Sequence, residues 1–264
     1  KLFTCENGMT IRVSPVTMLS TVSVQTGYRR EPKADDDPNS KHKSVPVRYS
    51  EKIKVSSGKE RTEWFPGAVN HGEGLFIRLD TDDYHQELQG NASSKWLETF
   101  ASKENGYKDF SFRDEKQNKH DELHPVFVWW HTLSHLLIRA IGEDAGFSSS
   151  AIQERVYLQV DADGKRARGG ILLYSTQSGG DGSMGGLLAL APYFDRMLEI
   201  AFDKLSICSG DPLCSDKEFS SGDLNGACCF GCTMNSETSC EYRNYWLDRH
   251  GLLDNSPCSC KKST

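Results

Sequence analysis

The distribution of cysteine constrains this chain more than any other feature of its sequence. Nine cysteines occur in 264 residues, and all except Cys5 lie after residue 207. Secreted domains built on disulfides usually have an even number of cysteines spread along the chain. Clustered cysteines beside a Cys-x-x-Cys motif instead indicate a metal site in a reducing compartment, so we expect a cytoplasmic protein with zinc as its cofactor. The clustered cysteines are Cys208, Cys214, Cys228, Cys229, Cys232, Cys240, Cys258 and Cys260.

Two pairs among these cysteines have the spacing of zinc ligands. Asp211-Pro212 places a turn between Cys208 and Cys214, and the Cys-x-x-Cys motif of Cys229 and Cys232 forms a second tight turn. Zinc prefers four soft ligands in a tetrahedron, and thiolates supplied in pairs by two turns can form one. Because thiolates must lose their protons to bind, metal binding and folding should be coupled. We therefore predict a closed structural zinc site formed by these four cysteines.

The sequence leaves alternatives open at this site. Cys240 is the first reserve ligand, and Cys228, which precedes the Cys-x-x-Cys motif directly, is the second. A redox-active Cys-x-x-Cys is the competing interpretation, although it does not explain the other cysteines. The simplest alternative is a set of separate buried and exposed thiols.

Two histidines form a second constellation. His131 and His135 are four residues apart in an apolar segment, so they share one face of a helix and could bind a metal ion. The glutamate of the His-Glu-x-x-His motif is absent, and a general base would have to come from elsewhere, such as Glu154. A metal-dependent hydrolase built on these three residues is one hypothesis. The simpler interpretation is that the histidines form hydrogen bonds to neighbouring loops.

The sequence contains no signature of a motor or a nuclease. A glycine-rich loop at residues 178–186 could approach phosphate at a helix start, but it lacks the Gly-Lys-Ser/Thr ending of a P-loop. We therefore expect that the chain is not an enzyme and has no catalytic residues. The longest apolar runs, such as residues 126–130, are far shorter than the roughly 20 residues of a membrane helix.

Charge argues against binding of nucleic acid through bulk charge, because the formal net charge is −6. Basic residues nevertheless gather at residues 41–61 and in a turn-rich segment after residue 160. A solvated strand and loop is the simpler explanation, and contact with the phosphates of DNA is the more specific one. The candidate DNA-binding residues are Lys41, Lys43, Arg48, Lys52, Lys54, Lys165, Arg166 and Arg168.

The order of predicted elements indicates an α+β (mixed α/β) fold: a small antiparallel or mixed sheet with C-terminal helices and a cysteine-zinc module. Residues 1–124 form a predicted β-rich region with loop inserts at about 29–44 and 104–124, and residues 125–264 form the zinc-binding domain. A capping box at Thr238–Glu241 predicts a last helix that continues to Leu253. The other predicted elements are strands over residues 45–55, 74–80, 155–160 and 170–175 and helices over residues 94–103, 126–145 and 187–205.

A string of motifs in fixed order resembles the DrmB family. The match is clearest from Val126 to Leu253, and any one motif alone would be weak. In place of the histidine that the family usually has inside the Cys-x-x-Cys, this chain has Phe230. The motifs are His131-Thr-Leu-Ser-His135, Glu154-Arg-Val-Tyr157, Gly170-Ile-Leu-Leu-Tyr174, Gly180-Asp-Gly-Ser-Met-Gly-Gly186, Cys208-Ser-Gly-Asp-Pro-Leu-Cys214, Leu224-Asn-Gly-Ala227, Cys229-Phe-Gly-Cys232, Glu237-Thr-Ser-Cys-Glu241, Asn244 and Leu247-Asp-Arg249.

The resemblance implies a specific function. DrmB is the partner of a large helicase in the DISARM anti-phage system, and related zinc domains follow the motor domains of some superfamily-2 DNA helicases. The chain would then be a non-motor accessory subunit that binds a DrmA-like, superfamily-2-type helicase and DNA, without sequence specificity, and carries a structural zinc. A pure scaffold that contacts only the helicase is a further alternative. The chain is short for that family, as a fragment or a truncated relative would be.

Overall fold

The computed structural model shows an α+β protein, as the sequence predicts. It describes residues 1–5, 8–25, 27–28, 45–46, 65–81, 125–160, 167–176, 186–217, 225–253 and 260–262. The predicted inserts at 29–44 and 104–124 lie outside the described residues.

Among the described residues, five strands precede the first α-helix. Short 3-10 turns at Leu188–Tyr193, Lys204–Ser206 and Glu237–Ser239 connect some of the elements. In chain order the elements are β1 (Leu2–Cys5), β2 (Thr10–Val24), β3 (Gly27–Tyr28), β4 (Val45–Pro46), β5 (Gly67–Leu79), α1 (Pro125–Ala145), β6 (Gln153–Val160), β7 (Ala167–Ser175), α2 (Phe194–Asp203), α3 (Arg249–Leu253) and β8 (Cys260–Lys262).

Six of the described strands form one sheet in the order β6-β7-β5-β2-β1-β8. β6 and β7 are an antiparallel pair in which Glu154 lies opposite Leu173, and β7 continues antiparallel to β5. At the other edge, β8 pairs with β1 and places Cys260 opposite Cys5, which is disulfide-bonded. β3 and β4 form a separate antiparallel pair.

Helix α1 is the centre of the hydrophobic core. Pro125 begins it, in the first turn where a missing N–H costs nothing, and Gly146 ends it with a φ of 74° and an N–H bonded to the Gly142 carbonyl oxygen at 3.2 Å. Almost every side chain from Val126 to Ile141 is buried, so the helix is enclosed on all sides, as expected for one that is apolar all round. It packs against β6, β7 and α2, and its buried histidines therefore face protein rather than solvent.

The predicted strands over residues 74–80, 155–160 and 170–175 and the predicted helices over 126–145 and 187–205 are present, with one interruption. The predicted helix over 94–103 and the predicted strand over 45–55, except residues 45–46, lie outside the described residues. The segment 187–205 is a 3-10 turn up to Tyr193 and an α-helix only from Phe194, because Pro192 interrupts the first turns. The apolar face predicted for this segment is buried along α2.

The prediction of a last helix that begins at the capping box and continues to Leu253 is wrong. The capping-box segment forms only the 3-10 turn Glu237–Ser239, and α3 begins at Arg249. Three non-glycine residues between them adopt left-handed backbone, which no right-handed helix can include. These residues are Arg243 (φ 55°), Asn244 (φ 60°) and Trp246 (φ 63°).

The chain divides into two compact units. Lys1–Leu19 together with Gly72–Thr264 form the first unit, which contains α1 and all the cysteines that the structure describes. Ser20–His71 form the second, in which Ser20 Oγ lies 3.0 Å from His71 Nδ1 and the Gln25 N–H donates to the Pro66 carbonyl oxygen at 2.9 Å. The boundary predicted between residues 124 and 125 stays a prediction, and strands from both sides of it share the six-stranded sheet.

Candidate metal centre

Two tight turns bring four cysteine sulfurs together. In the first turn the Cys214 N–H donates to the Gly210 carbonyl oxygen, and in the second the Cys232 N–H donates to the Cys229 carbonyl oxygen. The Sγ atoms of Cys208 and Cys229 are 3.3 Å apart, those of Cys214 and Cys232 are 3.7 Å apart, and those of Cys229 and Cys232 are 3.7 Å apart. All four sulfurs lie within 4.8 Å of one another. These are the four cysteines that the spacing selects as ligands.

The sulfur positions fit a tetrahedral zinc ion. Zn–S bonds of about 2.3 Å in a tetrahedron place the sulfurs about 3.8 Å apart, close to the spacing observed here. Two backbone amides also point at sulfur: the Gly210 N–H donates to Cys208 Sγ and the Cys229 N–H to Cys232 Sγ, both at 3.3 Å. Such donors stabilise negative charge on sulfur, which is the form that binds a metal. The donor set therefore matches zinc in both chemistry and spacing.

The pKa values of Cys208, Cys214 and Cys229 shift in different directions within the cluster. Burial raises the pKa values of the Cys208 and Cys214 thiols. Burial also acts to raise the pKa of Cys229, but hydrogen bonds from the Cys208 thiol and the Gly231 amide outweigh it and lower that pKa to about 7. Of these three thiols, Cys229 most readily becomes a thiolate before a metal ion binds.

Two arginines fasten these turns to the helices. Arg139 of α1 donates to the carbonyl oxygens of Phe230, Met234 and Gly231 at 3.2, 3.1 and 3.4 Å, which covers the Cys-x-x-Cys turn and the residues after it. Arg249 of α3 forms an ion pair with Asp211, whose other carboxylate oxygen accepts the Cys208 N–H. Each turn is therefore held by charged hydrogen bonds from one arginine. Arg139 carries no signal in the sequence, and Arg249 appears there only as part of the Leu247-Asp-Arg249 motif, because each acts on residues far away along the chain.

A frame of asparagines supports the same region. Asn244 accepts the Asn235 N–H at 2.9 Å and donates to the Asn235 carbonyl oxygen at 3.1 Å. Asn225 donates to the Asn244 carbonyl oxygen and accepts the Leu247 N–H, both at 2.9 Å. Asn235 donates to the carbonyl oxygen of His135 on α1 at 3.0 Å. This buried network links the segment after the Cys-x-x-Cys turn to α1 and to the left-handed turn near residue 244.

A second cluster of possible metal ligands combines nitrogen, oxygen and sulfur atoms. Its ligand atoms come from His131, His135, Glu154 and Cys240 and lie within 4.8 Å of one another. Glu154 Oε1 is 2.8 Å from His131 Nε2 and 3.2 Å from His135 Nε2, and His131 Nε2 is 3.2 Å from Cys240 Sγ. The structure thus places Cys240 with the histidines rather than with the other cysteines.

Burial and neighbouring charges act in opposite directions on the pKa values of His131 and Glu154. Burial lowers the pKa of His131, although the neighbouring Glu154 charge opposes this effect. Burial also acts to raise the pKa of Glu154, but the charges of His131 and His135 outweigh it and lower that pKa to about 2. Burial, followed by the Glu154 charge, raises the pKa of the Cys240 thiol.

The remaining candidates are less well placed. Cys228 is fully buried and belongs to neither cluster among the described residues. Arg168 on β7 donates to Gln159 Oε1 on β6 through Nε at 2.9 Å and Nη2 at 2.6 Å. The other seven DNA-binding candidates, Lys41, Lys43, Arg48, Lys52, Lys54, Lys165 and Arg166, lie outside the described residues.

Within the part of the chain that the structure describes, no helix has both the length and the apolar character to cross a membrane.

Comparisons with known proteins agree with the cysteine geometry. The family model described as the MrfA Zn-binding domain matches residues 133–233, a range that includes all four clustered cysteines. That match and the four-sulfur cluster identify zinc as the cofactor, whereas the choice of these four thiolates as its ligands stays a prediction.

The chain is also similar to a curated protein and to a solved structure. DISARM protein DrmB of Bacillus paralicheniformis is 34% identical over 251 residues, which cover 92% of this chain and 40% of that protein. The chain therefore spans two-fifths of the length of this relative. A crystal structure of the DUF1998 helicase MrfA bound to DNA aligns with 79% of this chain and 26% of its own, at 10% identity and a TM-score of 0.31. A likeness at that level supports no conclusion about fold or function.

Proposed function

Since the chain resembles DISARM protein DrmB over 92% of its residues and includes an MrfA Zn-binding domain, as its motifs predict, we propose that it is a non-motor accessory subunit of an antiviral, DISARM-type helicase complex. The single observation that carries this proposal is the 34% identity along almost the whole chain. The proposed partners are DNA and a DrmA-like helicase subunit of superfamily 2.

The zinc has a structural role in this proposal. Cys208, Cys214, Cys229 and Cys232 hold the ion, and four protein ligands leave no open position for a substrate or a reactive water. A zinc ion bound by four thiolates carries net negative charge, which the nearby guanidinium groups of Arg139 and Arg249 offset. The ion would join two turns that otherwise depend on a few hydrogen bonds.

The hydrolase alternative has less support. His131, His135 and Glu154 are at most 1% exposed, and Cys240 is 6% exposed. A hydrolytic metal needs a position open to water and substrate. The burial of this cluster favours a structural role for these residues.

DNA binding in this proposal depends on contacts with phosphate. The basic residues at positions 41–61 and near 165–168 would neutralise phosphates without reading bases, so affinity should fall as salt rises. The guanidinium of Arg168 is already bonded to Gln159, so this arginine would have to exchange that bond for a phosphate contact.

Fluorescence anisotropy with labelled duplex DNA over a salt series tests the DNA contact. We expect sequence-independent binding at low salt, with log K falling linearly against log salt. Reversing the charge at two sites, Lys52→Glu with Lys54→Glu, should make that slope shallower by about 1.8, or roughly 0.9 for each lost phosphate contact. Lys217→Glu, an exposed lysine outside both basic stretches, is the matched control and should leave the slope unchanged. Absence of binding at low salt would exclude the DNA part of the proposal.

Copurification tests the helicase contact. The chain, coexpressed with the superfamily-2 helicase subunit of a DISARM system, should elute with it as one species in size-exclusion chromatography. Coelution without any affinity for DNA would support the pure scaffold alternative. Separate elution at micromolar concentration of both proteins would contradict the accessory-subunit proposal.

A further inference from the structure

The hydrogen bond of His135 Nδ1 leaves its Nε2 and the Glu154 carboxylate in need of a cation or a proton between them. His135 Nδ1 lies 2.9 Å from the Thr233 carbonyl oxygen, which can only accept, so Nδ1 carries the ring proton. In a neutral imidazole Nε2 then has a lone pair, and it points at Glu154 Oε1 at 3.2 Å. Two lone pairs that face each other in a buried site require a cation or an extra proton. A histidine that binds a metal through one nitrogen typically donates its other N–H to a carbonyl in this way.

Glu154 provides an independent indication. Its side chain is 1% exposed, and Oε2 has no hydrogen-bond partner among the described residues. A buried carboxylate oxygen without a partner is costly, because the group has lost its hydration. A bound cation would satisfy this carboxylate and the adjacent imidazole lone pair together.

Cys240 has the surroundings of a metal-bound thiolate. The backbone N–H groups of Tyr242 and Asn244 both donate to its sulfur at 3.3 Å, the distance of the amide-to-sulfur bonds in the four-cysteine cluster. The left-handed backbone of Arg243 and Asn244 creates this arrangement. Such backbone is unfavourable for residues other than glycine and asparagine, so at Arg243 it persists only where the surroundings impose it. Here the two hydrogen bonds between the Asn244 side chain and the Asn235 backbone hold it in place.

We propose that His131, His135, Glu154 and Cys240 form a second, closed metal site that binds a divalent ion of the zinc class. Two imidazoles, one carboxylate and one thiolate are ligands that zinc accepts in a four-coordinate site. One thiolate and one carboxylate balance the charge of a divalent ion, which suits a site fully removed from water. The ion would join α1, β6 and the left-handed turn after Ser239. The proposal of this site does not depend on the proposed helicase partner.

Zinc content per chain is the first measurement, made on the full chain by inductively coupled plasma mass spectrometry. The wild type should hold two zinc ions per chain. Glu154→Gln keeps the shape and the capacity for hydrogen bonds but removes the anionic ligand, so it should hold one ion, as should Cys240→Ser. Cys228→Ser, which changes a buried cysteine outside both clusters, is the matched control and should hold two.

The outcomes separate the two sites. A wild type with one ion that Cys229→Ser removes would overturn the second site and leave the four-cysteine site standing. Two ions in Glu154→Gln would also overturn it, because the network would then bind no metal through the carboxylate. One ion in Cys229→Ser that Glu154→Gln then removes would support both sites.

Cadmium-113 NMR of the wild-type chain avoids dependence on variants that could fail to fold. Cadmium replaces zinc in sulfur sites, and its resonance moves upfield as nitrogen and oxygen ligands replace sulfur. We expect two resonances of equal intensity, the upfield one coupled to nitrogen-15 in labelled histidine. A single resonance without coupling to histidine would overturn the proposal.

Discussion

Cys229 is one of the residues through which the two cysteine turns meet, and its sulfur contacts one sulfur from each turn. Cys229→Ser should remove the zinc of the four-cysteine site and lower Tm by more than about 5 °C, since loss of a structural metal costs at least about 2 kcal/mol at this chain length. Zinc release measured with a chromogenic chelator, together with differential scanning calorimetry, checks both effects.

The control for Cys229→Ser is its neighbour. Cys228→Ser exchanges an equally small buried thiol that lies outside the sulfur cluster, and it should keep the zinc. Equal zinc loss in both variants would indicate general unfolding rather than loss of a ligand.

Arg139 acts on the same site at a distance from the metal. Arg139→Ala removes donors to three carbonyl oxygens, so it should lower the free energy of unfolding by about 1–3 kcal/mol and speed the transfer of zinc to a chelator. Arg155→Ala is the matched control, because Arg155 is half exposed and its ion pair with Glu241 spans 3.9 Å. That variant should change the free energy of unfolding by no more than about 0.5 kcal/mol in a urea titration. An unchanged zinc transfer rate in Arg139→Ala would contradict the anchoring role.

At the residue scale, the spacing of residues in the sequence predicts contacts that form within one turn. The four clustered cysteines were predictable because each pair sits within one turn, and a turn has a characteristic spacing. The position of Cys240 was not, since it meets His131 across 109 residues of sequence through a turn with left-handed backbone. A capping box and a cysteine turn share the same residue types here, and nothing in the local sequence distinguishes them.

At the scale of the elements, the packing of β7 against α1 depends on the absence of a side chain at Gly169. A Cβ atom on Gly169 would lie 2.3 Å from Cδ1 of Trp130, whose side chain is fully buried in α1. Gly169→Ala should therefore separate α1 from the sheet slightly and cost about 1–3 kcal/mol in the free energy of unfolding. Chemical denaturation followed by tryptophan fluorescence measures this cost.

The adjacent position provides the comparison for Gly169→Ala. Arg168 is exposed on the same strand, and Arg168→Ala should cost about 0.5 kcal/mol or less. Equal costs at the two positions would contradict the close contact between β7 and Trp130.

Local sequence signals explain why α1 was predictable, whereas the structure of the segment after Ser239 was not. α1 has a proline at its first turn, an apolar run and a terminal glycine, and each of these signals is local and agrees with the others. The segment after Ser239 has a capping box and an apolar pattern that also agree with each other, yet it does not form the helix. Buried asparagine bonds from Asn235 and Asn225 stabilise left-handed backbone there, and this tertiary effect outweighs local propensity.

At the scale of the whole molecule, the α+β class and the zinc module followed from the sequence, but the strand order did not. The sheet order β6-β7-β5-β2-β1-β8 brings the first described strand beside the last, and no periodicity in either strand carries that information. Register between distant strands depends on how the chain packs onto α1, which is a property of the assembled core.

The pairing of β1 with β8 has a consequence for synthesis. Residues 2–5 are synthesised long before residues 260–262, and one side of their strand has no partner until those residues have followed. Until translation reaches that point, the nascent chain presents an open strand edge of the kind that chaperones and proteases recognise. A polypeptide stalled shortly before Cys260 would retain that edge.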